Sequence, residues 1–292
     1  LDRNTTGLIV AGKTVESFLK EHGYTHQVLV RLKQTDHGIL RNGIWAYTNE
    51  RLCKDDLITV QIVENECSDN ISPVNLPLDI AYEDDDIIVI NKPFDMPAHP
   101  SAGNHDNTLA NALMYYYGSQ NKPFVYRCIN RLDRDTTGLT IVAKHALAGG
   151  ILGNAVAKRA IHRTYYAVCS GCTPAYMRIS APIARKDAST IERCVDFKRG
   201  ENAVTDFIRI KYNPDNNLSL VKLRLLTGRT HQIRVHMKYI GFPLIGDFLY
   251  NPDYTYISRQ ALHSGRLVFT HPVTGQKMNL ISDIPSDMKS LF

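Results

Sequence analysis

The sequence lacks the features that mark membrane, secreted and disulfide-rich proteins. No apolar run reaches the roughly 18 residues that a membrane-spanning helix needs, and the first residues show no apolar core of a secretion signal. We therefore expect a cytoplasmic protein without a membrane partner. Only 6 of the 292 residues are cysteines, and they are scattered along the chain, which favours free thiols over a disulfide framework.

Residues at the spacing of a metal site are also scarce. Cys169 and Cys172 are separated by two residues, as in many zinc sites. The sequence has no second cysteine pair and no nearby histidine pair that would complete four ligands. We therefore predict no metal site at this pair.

The composition is that of a globular protein. Hydrophobic residues make up 43% of the chain, which suits one large domain or two smaller ones. The formal net charge is +5. This mild basicity is compatible with an RNA partner but does not require one.

The first part of the chain predicts a small α+β unit. We expect one helix after the capping residue Thr14 and a second over residues 25–33. A strand, an Asn-Gly turn and another strand follow over residues 38–45, and residues 57–63 predict a closing strand. The polar residues 64–77 are typical of a linker.

The rest of the chain predicts a large sheet. The expected strands lie at residues 87–90, 139–144, 161–169, 204–211, 219–226 and 266–271. Because few helices separate these strands, we predict an α+β protein with a large mixed, mainly antiparallel sheet. We assign residues 1–70 to the small unit and residues 71–292 to the second one.

Residues 130–138 form an unusually charged run directly before one predicted strand. Their sequence is Asn-Arg-Leu-Asp-Arg-Asp-Thr-Thr-Gly. Charges this close are costly to bury unless they pair or take part in chemistry. On composition alone, a solvated loop with salt bridges is the expected interpretation.

The same run closely resembles the signature of the RluA-type pseudouridine synthases, His-Arg-Leu-Asp-x-x-Thr-Ser-Gly. This chain departs from the signature at Asn130 and Thr137, and both replacements are polar. The resemblance implies that Asp133 is the nucleophile, that Arg131 positions the substrate and that residues 136–138 support the loop.

Two further motifs resemble those of the same family and follow in the same order. Residues 163–167 resemble Lys-x-Tyr-x-Ala, which implies that Tyr165 lies against the target base. Residues 226–236 resemble Thr-Gly-Arg-x-His-Gln-x-Arg-x-His, which implies that Arg234 pairs with Asp133.

The third motif also predicts a turn followed by a helix. Thr230 is the expected N-cap residue. Ile233, Met237 and Ile240 would form an apolar stripe that faces the core. Residues 246–250 then fit the Gly-Asp-x-x-Tyr segment of the same family.

The resemblance implies the pseudouridine synthase fold and an enzyme that isomerises uridine in RNA without a cofactor. Its nucleophilic carboxylate must be ionised, and a nearby guanidinium favours that state. The implied catalytic residues are Asp133, Tyr165 and Arg234. The implied RNA-binding residues are Arg131, Arg134, Arg163, Arg229 and His231.

The first unit resembles the alpha-L RNA-binding module of the S-four type, which often precedes this family. That resemblance implies RNA contacts in residues 1–70. The same pattern of two short helices and a small sheet also fits a packing domain without RNA contacts. We expect the whole chain to be a monomer.

Several functions remain open at this point. Synthases of this two-part design most often resemble those that act on large-subunit (23S) ribosomal RNA, but other relatives modify transfer RNA. A catalytically silent RNA-binding protein on the same fold is a second alternative, and the intact motif residues argue against it. A glycoside or nucleoside hydrolase would need carboxylates across a sugar, whereas Asp133 and Asp135 lie in one short loop.

Overall fold

The computed structural model describes residues 2–5, 12–101, 103–187 and 191–292. The helices are α1 (Val15–Glu21), α2 (His26–Gln34), α3 (Leu109–Gly118), α4 (Ala146–Ala157), α5 (Gln232–Tyr239) and α6 (Ser286–Lys289). None of these helices has the length and apolar character needed to cross a bilayer.

The strands fall into a short N-terminal set and a longer second set. The first set is β1 (Asp2–Thr5), β2 (Ile39–Arg41), β3 (Ile44–Trp45) and β4 (Ile58–Gln61). The second set is β5 (Ile80–Glu83), β6 (Ile87–Lys92), β7 (Arg127–Cys128), β8 (Thr137–Ala143), β9 (His162–Ser170), β10 (Tyr176–Ser180), β11 (Ile183–Arg185), β12 (Arg193–Val195), β13 (Val204–Asn213), β14 (Leu218–Leu225), β15 (Leu262–Thr270) and β16 (Lys277–Ile281).

Both helices of the small unit begin where the sequence predicts. The Thr14 hydroxyl accepts a hydrogen bond from the backbone N–H of Ser17, and the Thr25 hydroxyl accepts one from Val28. Each hydroxyl satisfies a backbone donor that the first helical turn leaves without a partner. The four short strands pair in the order β1-β4-β2-β3.

The small unit is joined to the second unit by packing and by hydrogen bonds. Leu147 of α4 belongs to the buried apolar cluster of the small unit. Residues 64–77 contain neither helix nor strand, as predicted. Glu64 nevertheless accepts hydrogen bonds from the Arg127 side chain at 2.8 Å and from the Ala146 backbone N–H at 2.7 Å. The connecting segment is therefore anchored at its start.

The large sheet has the mixed character predicted from the sequence. Its strands lie in the order β10-β13-β14-β9-β15-β8-β6-β5, with β16 beside β15 and β7 beside β8. The pair β8–β15 is parallel, and the other pairs described in this sheet are antiparallel. The predicted large, mainly antiparallel sheet is thus confirmed.

Strand β8 and helix α5 position the polar motifs. All seven residues of β8 are buried, so the loop that precedes it is anchored at its end by a fully buried strand. Ile233 and Met237 of α5 pack in one apolar cluster with residues of β9, β13 and β14, and Ile240 packs against that cluster. The predicted apolar stripe of this helix is confirmed.

Gly138 controls how closely β8 approaches β15. Its φ is 108°, and a Cβ atom there would lie only 2.4 Å from the backbone oxygen of Ser264. We predict that Gly138→Ala lowers the free energy of unfolding by about 2–4 kcal/mol, because the two backbones would have to separate.

Urea unfolding of the full chain measures this effect. The matched control is Gly118→Ala at the end of α3, where a Cβ would meet no atom within 4 Å. Its stability should stay within about 1 kcal/mol of wild type. If the two variants were equally stable, the close approach of β8 and β15 at Gly138 would not contribute to the stability of the protein.

Candidate active site

One cavity collects all the side chains predicted from the three motifs. It has a volume of about 1190 Å³ and lies at the end of the sheet where β8 and β9 begin. The predicted residues that line it are Asp133, Tyr165, Arg234, Arg131, Arg134, Arg163, Arg229 and His231. Motifs that are distant in sequence therefore meet at one place, and the roles of their residues remain predictions.

The loop that carries Asp133 is held by side chains outside the motif. Gln260 Nε2 donates a hydrogen bond to Thr136 Oγ1 at 2.6 Å. Thr137 Oγ1 lies 2.9 Å from His263 Nδ1. These contacts fix the backbone after Asp133 without using its carboxylate, which fits the supporting role implied for residues 136–138.

Lys92 fixes the same loop from the side of β6. Its side chain is buried, and Nζ lies 2.8 Å from each of the backbone oxygens of Pro93, Met96 and Arg134. Three acceptors match the three N–H bonds of a protonated amine. Burial lowers the pKa of Lys92 from its ordinary 10.5 to about 7, while the negative charges of the neighbouring aspartates act in the opposite direction.

Asn130, one of the two departures from the family signature, has a structural role. It is buried, and its Nδ2 donates to the Leu139 backbone oxygen at 3.2 Å. Its Oδ1 accepts from the Ile141 backbone N–H at 2.8 Å. The amide thereby ties the start of the loop to β8.

Arg234 forms the central ion pairs of the site. Its Nε and Nη2 donate to the two carboxylate oxygens of Asp247 at 2.7 and 2.8 Å, and its Nη1 donates to Asp133 Oδ2 at 2.9 Å. Burial alone would lower the pKa of Arg234, but the hydrogen bonds and charges of Asp247 and Asp133 raise this pKa above its ordinary value. The guanidinium is therefore a permanent buried cation.

The two carboxylates bound to Arg234 differ in their surroundings. Asp247 is fully buried and also accepts the backbone N–H groups of Leu249 and Tyr250. The side chain of Asp133 is 30% exposed, and its Oδ1 accepts no hydrogen bond from the residues that the structure describes. Asp247 therefore holds the guanidinium in place, whereas Asp133 keeps one oxygen available to a molecule in the cavity.

His231 lies beside this ion pair. Its Nδ1 lies 3.0 Å from the Tyr250 hydroxyl, and its Nε2 lies 3.8 Å from Asp133 Oδ2. Burial lowers the pKa of His231 below its ordinary value, although the charge of Asp133 acts in the opposite direction. Burial raises the pKa of Tyr250 to about 12, so its hydroxyl stays protonated and can donate to His231.

Tyr165 forms part of the cavity wall. It lies on β9 two residues after Arg163, and alternation along a strand places both side chains on the same face. Its ring belongs to the apolar cluster that also holds Ile233 of α5. Across the described ranges, no residue forms a hydrogen bond with the Tyr165 hydroxyl, so this group is available to a ligand.

The arginines predicted to bind RNA differ in whether their charge is already paired. Arg134 lies 3.3 Å from a carboxylate oxygen of Asp135, and Arg229 pairs with Glu201. An exposed pair of this kind contributes little and exchanges easily. The two that form no ion pair with a described carboxylate are Arg131 and Arg163.

The start of α5 differs from the prediction made from the sequence. Thr230 is not the N-cap residue, because the helix begins at Gln232 and the residue before it, His231, has a left-handed backbone with φ 56°. Gln232 Oε1 instead accepts hydrogen bonds from the Arg229 backbone N–H and from the Thr227 hydroxyl. A left-handed conformation is uncommon for residues other than glycine, so the pattern of capping residues could not reveal it.

Two residues of the site were not predicted from the sequence. For Asp247 the available signal was the Gly-Asp-x-x-Tyr segment, in which an aspartate follows a glycine. For Lys92 the signal was a lysine at the end of an apolar strand, because a buried ammonium needs several acceptors. Both residues act by holding the groups that were predicted.

Comparison with known proteins identifies related sequences. The profile of the family described as RNA pseudouridylate synthase matches residues 86–239. An uncharacterized RNA pseudouridine synthase of Bacillus subtilis, YjbO, is 38% identical over 281 residues, which are 96% of this chain and 98% of that protein. The ribosomal large subunit pseudouridine synthase D of Haemophilus influenzae is 41% identical over 245 residues, which are 79% of this chain and 75% of that protein.

Solved structures share the fold. The human RNA pseudouridylate synthase domain containing 1 superposes with a TM-score of 0.61 and 26% identity, over 71% of this chain and 83% of that one. The human RNA pseudouridylate synthase domain containing 4 superposes with a TM-score of 0.59 and 20% identity, over 72% of this chain and 90% of that one. The second match supports the fold alone.

Because Asp247 forms a buried ion pair with Arg234, removing the charge of Asp247 should strongly destabilise the protein. Asp247→Asn should lower the free energy of unfolding by roughly 3–5 kcal/mol, because it leaves part of a buried positive charge uncompensated. Urea unfolding of the purified protein measures the change.

The matched control is Asp206→Asn. Asp206 also binds an arginine through both oxygens, with Arg178 Nε at 2.6 Å and Nη2 at 2.8 Å. The Arg178 side chain is 55% exposed, so this loss should stay within about 1 kcal/mol. Equal losses for the two variants would mean that burial does not determine the strength of the Asp247 contact.

Proposed function

Because this chain belongs to the RNA pseudouridylate synthase family and is a pseudouridine synthase, we propose that it isomerises specific uridines of large-subunit ribosomal RNA with Asp133 as the nucleophile. The observation that carries the proposal is the 2.9 Å contact between Arg234 Nη1 and Asp133 Oδ2 at an arginine-lined cavity. The ribosomal target is supported by relatives named ribosomal large subunit pseudouridine synthase D.

The proposed reaction conserves all atoms and electrons. The bond between N1 of uracil and C1′ of ribose breaks, the base turns, and a bond between C5 and C1′ forms. C5 loses a proton and N1 gains one, so the reaction consumes no oxidant, reductant or energy source. A carboxylate can attack the sugar or the base, or stabilise a cation at C1′, and Asp133 has an oxygen available for each of these roles.

Access to the base requires that the uridine leaves the RNA stack. Unstacking and unpairing cost a few kcal/mol. We propose that Arg131 fills the vacated stack or holds a phosphate and that Tyr165 gives the uracil an aromatic face. The remaining proposed RNA contacts are Arg134, Arg163, Arg229 and His231.

The organisation of the chain is part of the proposal. We propose that residues 1–70 form an RNA-binding module, that residues 71–292 form the catalytic domain, and that the protein works as a cytoplasmic monomer. The buried contact of Leu147 with the small unit supports a fixed arrangement of the two parts.

The target RNA is tested by mapping pseudouridine in cells with and without this protein. Loss of sites in large-subunit ribosomal RNA is the expected result. Loss confined to transfer RNA would support the alternative target. No loss in any RNA, together with retained RNA binding, would support a catalytically silent protein on the same fold.

The proposed nucleophile predicts the effect of Asp133→Asn. The amide keeps the size and hydrogen bonding of the carboxylate but loses its charge and nucleophilicity. We expect no detectable pseudouridine, with RNA affinity and thermal unfolding close to those of wild type. The measurement is a timed assay of pseudouridine formation and of free uracil in the same RNA.

The control for this variant lies two residues further along the loop. Asp135 pairs with Arg134 and does not line the cavity, so Asp135→Asn should keep more than a tenth of the wild-type rate. Activity of Asp133→Asn within tenfold of wild type would remove Asp133 from the proposed role. Release of free uracil by the wild-type protein would instead favour a hydrolase.

Tyr165→Phe separates two roles of the tyrosine. If the ring only stacks on the base, phenylalanine keeps the aromatic face and the rate. If the hydroxyl removes the proton from C5 after reattachment, the glycosidic bond rearranges but the last step stalls. We expect the stall, seen as substrate consumption without the finished product. A wild-type rate of complete pseudouridine formation would leave Tyr165 as a stacking surface only.

A further inference from the structure

A second cavity lies between the small unit and the catalytic unit. Its volume is about 910 Å³, and its walls are helix α2 on one side and helix α4 with residues 127–129 on the other. We call this cavity the α2–α4 groove. Nothing in the reaction proposed above uses it.

The groove exists because glycines of α4 face α2. A Cβ atom at Gly150 would lie 2.7 Å from Cγ2 of Thr25, so this glycine lets the start of α2 come close to α4. One turn further along, a Cβ atom at Gly153 would meet no atom within 4 Å. The helices therefore touch at one end, and the space opens towards the other end of α4.

The open end of the groove leads into the candidate active site. Cys128, Ile129 and Val156 line both cavities. A chain-like molecule whose reacting part lies beside Asp133 can therefore continue into the groove without leaving the protein surface.

The lining of the two cavities is almost free of negative charge. Nine arginines line them, and Asp133 is the one carboxylate among the described residues that do so. Five of these arginines form ion pairs with carboxylates that lie outside the lining: Arg31, Arg127, Arg134, Arg229 and Arg234. The other four form no ion pair with a described carboxylate and complement the phosphates of a nucleic acid: Arg131, Arg159, Arg163 and Arg224.

Arg159 supplies an unpaired cation at the junction of the cavities. It follows the end of α4, lines the active-site cavity and forms no ion pair with a described carboxylate. Its φ is 57°, a left-handed conformation that glycine adopts more easily than arginine at the end of a helix. Arginine therefore costs some backbone strain at this position, which lies three residues after Val156, a residue that lines both cavities.

The groove itself offers polar side chains from α2. His26, Gln27 and Gln34 lie in its wall, and these side chains can hydrogen-bond to bases and ribose hydroxyls. Its own arginines, Arg31 and Arg127, are held by Glu66 and Glu64. The groove is therefore suited to bases and sugars, and the junction is suited to phosphate.

We propose that the α2–α4 groove binds a single-stranded segment of the RNA that adjoins the target uridine. The proposal rests on the function proposed above and adds the path of the substrate. The ligand is a single strand because it must continue from a nucleotide already removed from its stack, and because a cavity of this volume has the dimensions of a ligand pocket.

Gly153 allows a direct test by charge reversal. Lysine and glutamate are both good helix formers, and either side chain starts in open space. With RNA in the groove, Gly153→Glu should bind a long substrate about tenfold more weakly than Gly153→Lys at low salt. The difference should be smaller for a short RNA that ends at the target uridine, and it should shrink as salt is raised.

A matched glycine provides the control. Gly118→Glu and Gly118→Lys carry the same charges at the end of α3, outside both cavities. They should differ less than twofold in RNA affinity. If the two Gly153 variants also differ less than twofold while the wild-type enzyme makes pseudouridine, the groove does not carry RNA. If the wild-type enzyme makes no pseudouridine, the proposed function fails first.

Arg159→Gly tests the junction without disturbing the fold. Glycine accepts the left-handed backbone, so thermal unfolding should occur at the wild-type temperature or above. RNA affinity should fall several-fold. The slope of log affinity against log salt should become less steep by the amount that corresponds to about one phosphate contact. Unchanged affinity and slope would remove Arg159 from the RNA path.

Discussion

The buried guanidinium of Arg234 is the constraint on which the site depends. Its side chain is only 1% exposed. A cation buried to this degree is stable only when carboxylates pair with it. It obtains Asp247 from the turn that follows α5 and Asp133 from a loop 101 residues earlier in the chain. Satisfying one charge therefore brings a distant loop to α5 and to the turn that follows it, and the cavity forms around them.

This arrangement reconciles a rigid site with an accessible carboxylate. Asp247 uses both oxygens to orient the guanidinium, so Arg234 presents a single N–H to Asp133. The loop around Asp133 is held by Lys92 and Gln260 through backbone and hydroxyl groups. Because no residue in the described part of the chain occupies the second oxygen of Asp133, the loop can be preorganised without blocking its proposed chemistry.

The fold class, most helices and strands, and the residues around the cavity could be predicted from the sequence. Periodic apolar residues mark the helices and strands, and recognisable motifs mark the residues around the cavity. Asp247 was missed because its importance depends on a partner that reaches it only in the folded chain. Lys92 was missed because its position at the end of an apolar strand does not show which backbone oxygens it binds. The left-handed His231 and the α2–α4 groove were missed because both arise from packing between segments.

The distribution of charge bears on how the small unit would contribute to the proposed RNA binding. Residues 1–70 contain eight Lys and Arg and ten Asp and Glu, so their formal charge is −2, and residues 71–292 carry +7. A unit without net positive charge adds nothing to the long-range attraction of phosphates. Its polar helix α2 nevertheless forms one wall of the groove that opens into the arginine-lined cavity. Its proposed contribution to RNA binding is therefore expected to be local and dependent on shape, whereas residues 71–292 would supply the electrostatic attraction.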